Sequence, residues 1–365
     1  MHIERLEVKR FSLRPPIPLT VAYGSYPTLD YVSLQVHTDN GLVGLGEASP
    51  DTEVTGETQD TCLHGLQRAE SWLIGRDPFE LEALLGAFEE EFFGQPSAMA
   101  ALDMALYDLI GKALGVPVYR LLGGSARRVM EIYPLVPLLP PREMAELAAA
   151  FATGGYGTLK LKVGTGPDED EERVRLVREA VGPEVRLRVD VNQGWHTAAV
   201  AIPAVERVAR WKVDWIEQPV DAEDLDGLAE VTHAVKVPIM VDEGCHAPQD
   251  ALAVVRRGAA NIINIKLMKC GGLHRALQIA AIAEAAGLPC IVGSMGESSI
   301  GSLAGLHLYA SRKCFLAGEV IGPLFVEGDI ASGFEVLDGC AVLPAKPGLG
   351  AALFRSPASE ETQPA

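Results

Sequence analysis

Five short apolar runs between residues 156 and 266 decide the fold, and each of them ends in a charged residue. They are 156–162 (YGTLKLK), 185–190 (VRLRVD), 213–217 (VDWIE), 239–242 (IMVD) and 262–266 (IINIK). Their charged ends lie 24 to 28 residues apart, and a helical segment follows each run. Repeating strand–helix units with right-handed crossovers give a parallel sheet. A (β/α)₈ barrel spends about 31 residues on each unit, and fewer when its loops are short.

A doubly wound open sheet is the alternative fold for such a pattern. That fold normally carries nucleotide-binding glycines after its first strand, and we find none at that place. We therefore predict an α/β protein whose residues 126–320 form a (β/α) barrel of TIM type. Because the C-terminal ends of all barrel strands meet at one face, we expect the five charged ends to converge there.

The first 125 residues have a different pattern. Residues 1–48 are predicted to be extended, with a hairpin turn at Asp39-Asn40. Helical spacing predicts helices over 58–75, 79–92 and 97–115. Sheet followed by helices indicates an α+β domain over residues 1–125. Beyond the barrel we predict a segment at 321–355 and a disordered tail at 356–365.

Composition excludes several classes of function. The chain has 365 residues, with 31 Lys+Arg against 49 Asp+Glu and a net charge of −18. Such an acidic chain is a poor partner for nucleic acid, which binds cationic side chains, or for an anionic membrane surface. No uncharged apolar run approaches the roughly 20 residues of a membrane helix. The charged N-terminus and the six dispersed cysteines are typical of a cytoplasmic protein with reduced thiols.

Three carboxylates end successive runs: Asp190, Glu217 and Asp242. Carboxylates brought within a few ångströms of one another repel strongly, and a divalent cation relieves that repulsion. A set of oxygen ligands without Cys or His favours Mg²⁺, or Mn²⁺ as a substitute, over Zn²⁺. We therefore predict a magnesium site at the mouth of the barrel.

Lysines flank these acids in the chain. Lys160 and Lys162 alternate along one strand, so both point to the same side. Two neighbouring ammonium groups are expected to lower the pKa of one or both lysines, which would make a usable base. Lys266 is predicted to lie across the barrel from Lys162, on the other side of a metal-bound substrate. Lys269 is expected at the surface, where the next helix starts.

The ordered motifs resemble the enolase superfamily, specifically its muconate lactonizing enzyme subgroup, with features of dipeptide epimerases and muconate cycloisomerases. They run from Lys160-Leu-Lys162 through Asp190-Val-Asn192, Glu217-Gln-Pro219 and Asp242-Glu243 to Lys266. The resemblance implies a modified (β/α)₇β barrel and an N-terminal capping domain that the C-terminal segment completes. It implies that the three acids bind Mg²⁺, that Lys162 and Lys266 are the acid/base pair, and that Lys160 assists them. The mandelate racemase branch is disfavoured, because 290–296 contains no histidine.

The resemblance implies removal of a proton next to a carboxylate through an enediolate. Return of the proton makes an epimerase or racemase, which we favour; a muconate-type cycloisomerase and a dehydratase remain alternatives, and a non-catalytic binding barrel is a remote one. Residues 54–58 (VTGET) are similar to dipeptide epimerases, but Glu319-Val-Ile321 departs from their Asp-x-Asp motif. Candidate substrate-binding residues are Tyr23, Thr55, Asn192, Glu297 and Glu319.

The capping segment has an uneven charge. Residues 15–67 contain acids but no Lys or Arg, so a second carboxylate on the substrate would find no cationic side chain there. We expect a small-molecule carboxylate substrate, an amino-acid derivative or dipeptide, whose distal group is neutral, apolar or cationic. A homo-oligomer is also expected, because barrel enzymes of this type often assemble.

Overall fold

The structure, a computed structural model, describes residues 1–354, and the predicted tail at 356–365 lies outside them. The N-terminal part contains strands first and helices afterwards. Its elements are β1 (Ile3–Leu13), β2 (Leu19–Val21), β3 (Gly24–Tyr26), β4 (Leu29–Thr38), β5 (Val43–Ala48), α1 (Gln59–Leu73), α2 (Leu81–Glu91), α3 (Pro96–Leu114), α4 (Val118–Leu121) and β6 (Val129–Glu131). The three predicted helices are therefore present, with ends shifted by one to two residues.

Strands β1, β4 and β5 form an antiparallel sheet in the order β1-β4-β5, and α3 packs against β5. Gly46 permits this close packing, because a Cβ atom there would collide with the carbonyl of Ala101 on α3. Thr58 caps α1, with its side chain accepting a hydrogen bond from the Thr61 backbone N–H. Gly115 ends α3 in the left-handed conformation at φ 67°. Local sequence signals thus explain both helix ends.

The second part of the chain has seven strand–helix repeats and a final strand. Its elements are β7 (Leu135–Val136), α5 (Pro141–Thr153), β8 (Thr158–Lys162), α6 (Pro167–Val181), β9 (Arg186–Asp190), α7 (Ala198–Ala209), β10 (Val213–Glu217), α8 (Leu225–Ala234), β11 (Ile239–Val241), α9 (Pro248–Arg257), β12 (Ile262–Ile265), α10 (Leu267–Cys270), α11 (Leu273–Ala285), β13 (Cys290–Val292), α12 (Ser299–Ser311) and β14 (Phe315–Gly318). This is the (β/α)₇β order, and the barrel prediction is confirmed.

The eight strands β7 to β14 pair in chain order, and every pair is parallel. Side chains that point inward form one buried cluster inside the curled sheet. The cluster joins Tyr133 beside the first strand to Ala317 on the last, together with Trp215, Met240, Ile262 and Ile291. Outward-facing residues such as Leu159 and Leu161 pack in the larger core under the helices. Alternation along each strand therefore separates the side chains inside the barrel from those that pack under the helices.

The chain then returns to the N-terminal part. Its last elements are α13 (Gly322–Phe325), β15 (Ala331–Ser332), β16 (Val336–Leu337), β17 (Cys340–Val342) and β18 (Ala352–Leu353). The Leu349 N–H donates to Asp108 on α3 at 2.8 Å, and the Val118 N–H donates to the Gly348 carbonyl at 2.9 Å. These bonds are compatible with a capping domain completed by the C-terminal segment. The limits at residues 125 and 320 stay predictions.

Across residues 1–354, none of the helices combines the length and the apolar character that crossing a membrane requires.

Candidate metal and active site

Three carboxylates converge at the mouth of the barrel. Asp190 ends β9, Glu217 ends β10 and Asp242 directly follows β11. All three residues are fully buried, and one oxygen of each lies within 4.8 Å of the others. Parallel neighbouring strands cause this convergence, because Asp190 is in register with Glu217. The predicted cluster is therefore assembled by the fold.

Each carboxylate has one oxygen that a protein donor holds. Oδ1 of Asp190 accepts from the Asn192 backbone N–H at 3.0 Å. Oε1 of Glu217 accepts from the Asn264 amide at 2.8 Å, and Oδ1 of Asp242 accepts from the Lys269 ammonium at 2.8 Å. The second oxygen of each acid faces a lysine. Oδ2 of Asp190 lies 2.7 Å from the Lys162 ammonium, Oε2 of Glu217 lies 2.8 Å from that of Lys160, and Oδ2 of Asp242 lies 2.6 Å from that of Lys266.

These second oxygens fit a divalent cation. Oε2 of Glu217 and Oδ2 of Asp242 are buried, and no donor is aligned with either for a hydrogen bond. Buried carboxylate oxygens without aligned donors are costly, and three carboxylates this close together repel one another. Burial and the nearby Asp190 raise the pKa of Glu217 well above its ordinary range. An all-oxygen donor set of this kind suits a hard divalent cation.

Lys160 and Lys162 lie on one side of the acids, as their alternation predicted. Their ammonium nitrogens are 3.0 and 2.7 Å from the same oxygen, Oδ2 of Asp190. Burial opposes the charge on Lys160, but three nearby carboxylates outweigh it and raise its pKa well above the usual range. The predicted lowering is therefore wrong for Lys160, because acids outnumber ammonium groups around it.

Lys266 lies on the other side, with three strands between its strand and that of Lys162. Its ammonium nitrogen is 2.6 Å from Oδ2 of Asp242. Burial opposes its charge, but the carboxylate of Asp242 raises its pKa above the usual range. The two lysines thus flank the acids from opposite sides.

Lys269 is not at the surface, so that prediction was wrong. Its side chain is completely buried on the short helix α10, where its ammonium donates to Asp242 and to the Asn264 carbonyl at 3.1 Å. The helix α10 has only four residues, which is too short for apolar spacing to indicate that Lys269 is buried. The one available hint was Asn264, a polar residue within the apolar run 262–265.

Left-handed backbone conformations follow two of the clustered acids, Asp190 and Glu217. Asn192 has φ 44° and Gln218 has φ 36°, in a region that non-glycine residues seldom adopt. The Gln218 side chain accepts from the Asp242 and Gly244 backbone N–H groups at 2.9 and 3.1 Å. This bridge fixes the end of β11 against the end of β10. Sequence reasoning did not find the role of Gln218.

A cavity of about 280 Å³ lies between the barrel mouth and the N-terminal part. Its barrel side presents Lys160, Lys162 and Lys266. Its capping side presents acids and aromatic or apolar groups, among them Asp30, Asp51, Glu57, Tyr23, Tyr26, Leu19, Val21 and Leu29. A lining with few polar groups and a charged end is typical of small-molecule sites.

Of the five candidate substrate-binding residues, Tyr23 and Glu319 line this cavity, whereas Thr55, Asn192 and Glu297 do not. Thr55 bonds to the Asp51 carbonyl at 2.9 Å and stabilises its own loop. Asn192 accepts from the Lys162 ammonium at 2.8 Å, and Glu297 accepts from the Met295 N–H at 2.9 Å. These three side chains form hydrogen bonds with protein groups and do not line the cavity.

Glu319 is fully engaged with protein groups. Its two oxygens lie 2.8 and 3.0 Å from the Lys160 ammonium, and the Tyr133 hydroxyl donates to it at 3.2 Å. Ile321, two residues later, is an apolar part of the cavity wall. The end of the last barrel strand therefore offers a carboxylate that is already paired.

A parallel barrel under an α+β cap, with buried carboxylates and flanking lysines at its mouth, defines a class of metal-assisted enzyme. Comparison with known proteins gives the family. Residues 143–356 match the enolase C-terminal domain-like family, and residues 5–123 match the N-terminal domain of mandelate racemase and muconate lactonizing enzyme.

Individual relatives cover nearly the whole chain. The chain is 39% identical to an N-succinyl-L-Arg/Lys racemase of Bacillus cereus, covering 88% of both proteins. It is 40% identical to a hydrophobic dipeptide epimerase of Enterococcus faecalis, over 86% of this chain and 88% of the relative. A muconate cycloisomerase of Rhodococcus opacus is 36% identical, over 87% of both. The Enterococcus faecalis epimerase complexed with Mg and L-Leu-L-Tyr superposes with a TM-score of 0.93, at 37% identity, covering 96% of this chain and 100% of that one.

The chain belongs to the enolase superfamily, in its muconate lactonizing enzyme subgroup. Its relatives are epimerases, racemases and cycloisomerases, so it is an isomerase of that superfamily.

Proposed function

We propose that the protein is a Mg²⁺-dependent epimerase or racemase of an amino-acid derivative or dipeptide. The observation that carries this proposal is the position of Lys162 and Lys266 on opposite sides of three buried carboxylates. One lysine accepts the proton from the substrate's α-carbon, and the other donates a proton to the opposite face, which inverts the centre. Each turnover leaves the two lysines with exchanged protonation states, and solvent restores them.

Asp190, Glu217 and Asp242 would hold the cation. When bound, a divalent cation supplies positive charge against the negative charge that develops on the substrate carboxylate. Lys160 lies 3.0 and 2.8 Å from oxygens of Asp190 and Glu217, so its ammonium would add positive charge close to a substrate carboxylate bound at the cation. The buried position of all these groups strengthens their electrostatic effect. Mn²⁺ is proposed as a substitute, because it accepts the same ligands.

The lining of the cavity favours a distal group that is not acidic. Its capping side presents Asp30, Asp51 and Glu57 and no Lys or Arg, so a distal carboxylate would meet like charges without a partner. Neutral, apolar or cationic distal groups avoid that cost. The names of two relatives, a hydrophobic dipeptide epimerase and an N-succinyl-L-Arg/Lys racemase, are compatible with this range.

A cycloisomerase is the second candidate. It is favoured by Ile321, which leaves the end of the last strand without a second carboxylate, and by the muconate cycloisomerase relative. The capping side opposes it, because the second carboxylate of a muconate would find no cationic side chain there.

The experiment is a screen of dipeptides, N-acyl amino acids and muconates in D₂O with Mg²⁺. We expect deuterium at the α-carbon and inversion with a non-acidic distal group, and slower turnover with an acidic one. Faster turnover of the acidic member of a matched pair would refute the distal-group assignment, and lactone formation without exchange would favour the cycloisomerase.

Lysine variants test the two-base assignment in the same assay. Lys162→Ala should slow exchange from one enantiomer by about 10²–10⁴-fold, and Lys266→Ala should slow exchange from the other enantiomer to a similar extent. The exposed Lys236→Ala is the control, and it should leave both rates unchanged. Parent-like exchange from both enantiomers in either variant would contradict the assignment.

We also propose that the protein is a homo-oligomer. Light scattering on the parent protein would test this proposal, and a monomeric mass would contradict it.

A further inference from the structure

We propose that Lys269 is a positioning residue that makes Asp242 bind the divalent cation through a single oxygen. The inference rests on the proposed function, since it concerns the same cation. It goes beyond that function because Lys269 does not line the cavity and would contact neither substrate nor cation.

The ammonium of Lys269 is fully engaged with protein acceptors. Its ammonium donates to Oδ1 of Asp242 at 2.8 Å, to the Asp242 carbonyl, and to the Asn264 carbonyl at 3.1 Å. An ammonium has three donors, so these acceptors use all of them. With a side chain that is fully buried, Lys269 is held in one place by these three bonds.

Lys266 is buried too, but its surroundings differ. It lines the cavity, and its ammonium faces the other oxygen of Asp242, Oδ2, at 2.6 Å. No donor is aligned with Oδ2 for a hydrogen bond. Asp242 therefore has one oxygen, Oδ1, held by Lys269 and the other, Oδ2, facing Lys266.

This division has an electrostatic consequence. A buried carboxylate needs a partner, and without Lys269 the remaining nearby cation is Lys266. Lys266 already lies 2.6 Å from Oδ2, so the loss of Lys269 would leave Oδ1 without its ammonium donor and available to the cation as well. By occupying Oδ1, Lys269 leaves Oδ2 as the one oxygen that would bind the cation.

Asn264 couples this arrangement to the neighbouring ligand. Its side-chain amide holds Oε1 of Glu217 at 2.8 Å, while its backbone carbonyl accepts from Lys269. The end of β12 thus positions two of the three acids. Partners that orient metal ligands in this way commonly change metal affinity 10- to 100-fold when they are removed.

The test measures Mn²⁺ binding by electron paramagnetic resonance, apart from any catalytic assay. In Lys269→Met we expect the Kd for Mn²⁺ to rise by about tenfold or more, with a changed spectrum of the bound ion. Lys269→Arg keeps the charge, but a planar guanidinium cannot meet the same three acceptors. We expect it to fold and to raise the Kd several-fold.

The matched control is Lys112→Met. Lys112 also pairs with a buried acid, Asp108, at 2.6 Å, but does so in the N-terminal part of the chain. This control should lower the denaturation midpoint and leave the Kd for Mn²⁺ unchanged. A Kd within about twofold of the parent value in either folded Lys269 variant would overturn the proposal. Absence of Mn²⁺ binding in the parent would instead refute the proposed function.

Discussion

Gly293 shows how much a single residue decides at the mouth of the barrel. It follows β13, next to the strand that carries Asn264 and Lys266. A Cβ atom at this position would collide with Oδ1 of Asn264 and lie 2.8 Å from Cγ of Lys266. The glycine therefore allows a lysine to project from the sixth strand.

Substitution Gly293→Ala should push Lys266 and Asn264 out of place. We expect a loss of stability of about 1–3 kcal/mol, as for other overpacked sites. We also expect α-proton exchange to fall more on the face served by Lys266 than on the other. Face-resolved deuterium exchange and thermal denaturation measure the two effects. Gly157→Ala is the control, because open space surrounds its Cβ position, and an equal loss on both faces in Gly293→Ala would contradict this account.

At the scale of elements, two acids of the N-terminal part bind the beginnings of barrel helices. Glu47 on β5 accepts from the Ser298 N–H at 2.9 Å and from the Gly301 N–H at 3.3 Å at the start of α12. Asp103 on α3 accepts from Leu273 and His274 at the start of α11. Free N–H groups and the helix dipole both favour an acceptor there. These contacts fix the cap on the barrel and hence the cavity between them.

Burial makes the charged form of Glu47 costly. It raises the pKa of Glu47 to about 8 from an ordinary value of 4.5. The folded protein therefore keeps a proton there that the unfolded chain loses, so this group costs stability as pH rises from about 4.5 to 8. Glu47→Gln removes the titration and keeps one acceptor.

We therefore expect the Glu47→Gln variant to lose less stability than the parent between pH 5 and 8, by an amount on the order of a few kcal/mol. Urea denaturation at several pH values measures the difference. The exposed Glu90→Gln is the control and should follow the parent curve. A Glu47→Gln curve parallel to that of the parent would show that Glu47 does not titrate in this range.

At the scale of the whole molecule, the two sides of the cavity carry opposite charges. The net charge is −18, yet cations concentrate on the barrel side of the cavity and acids on the capping side. A substrate with one carboxylate would enter with that group towards the lysines. The uneven distribution of charge would therefore orient the substrate in the cavity.

Cation binding should be visible in the stability of the whole molecule. A ligand that binds only the folded state adds about 2.7 kcal/mol at 100 times its Kd. We expect Mg²⁺ to raise the melting temperature by several degrees and a chelator to reverse the rise. Glu217→Gln should reduce the effect, while NaCl at equal ionic strength should not reproduce it. Equal shifts in the parent and in Glu217→Gln would contradict the three-carboxylate site.

The sequence by itself determined the barrel, the order of its charged strand ends and the lack of cations over residues 15–67. The reason is that strand alternation and strand–helix repetition are local, and parallel strands bring their C-terminal ends to one face. The sequence alone could therefore place five residues together at the mouth of the barrel: Asp190, Glu217, Asp242, Lys162 and Lys266.

Only the tertiary structure decided which oxygen of each acid faces the lysines of the site and where Lys269 and Glu319 lie. Glu319 meets Lys160 from 159 residues away, and Lys269 meets Asp242 from 27 residues away. Such pairings depend on how strands and short helices pack, which no local pattern encodes. The sign of the pKa shift at Lys160 was wrong for the same reason, because it depends on the sum of all charges that the fold brings near it.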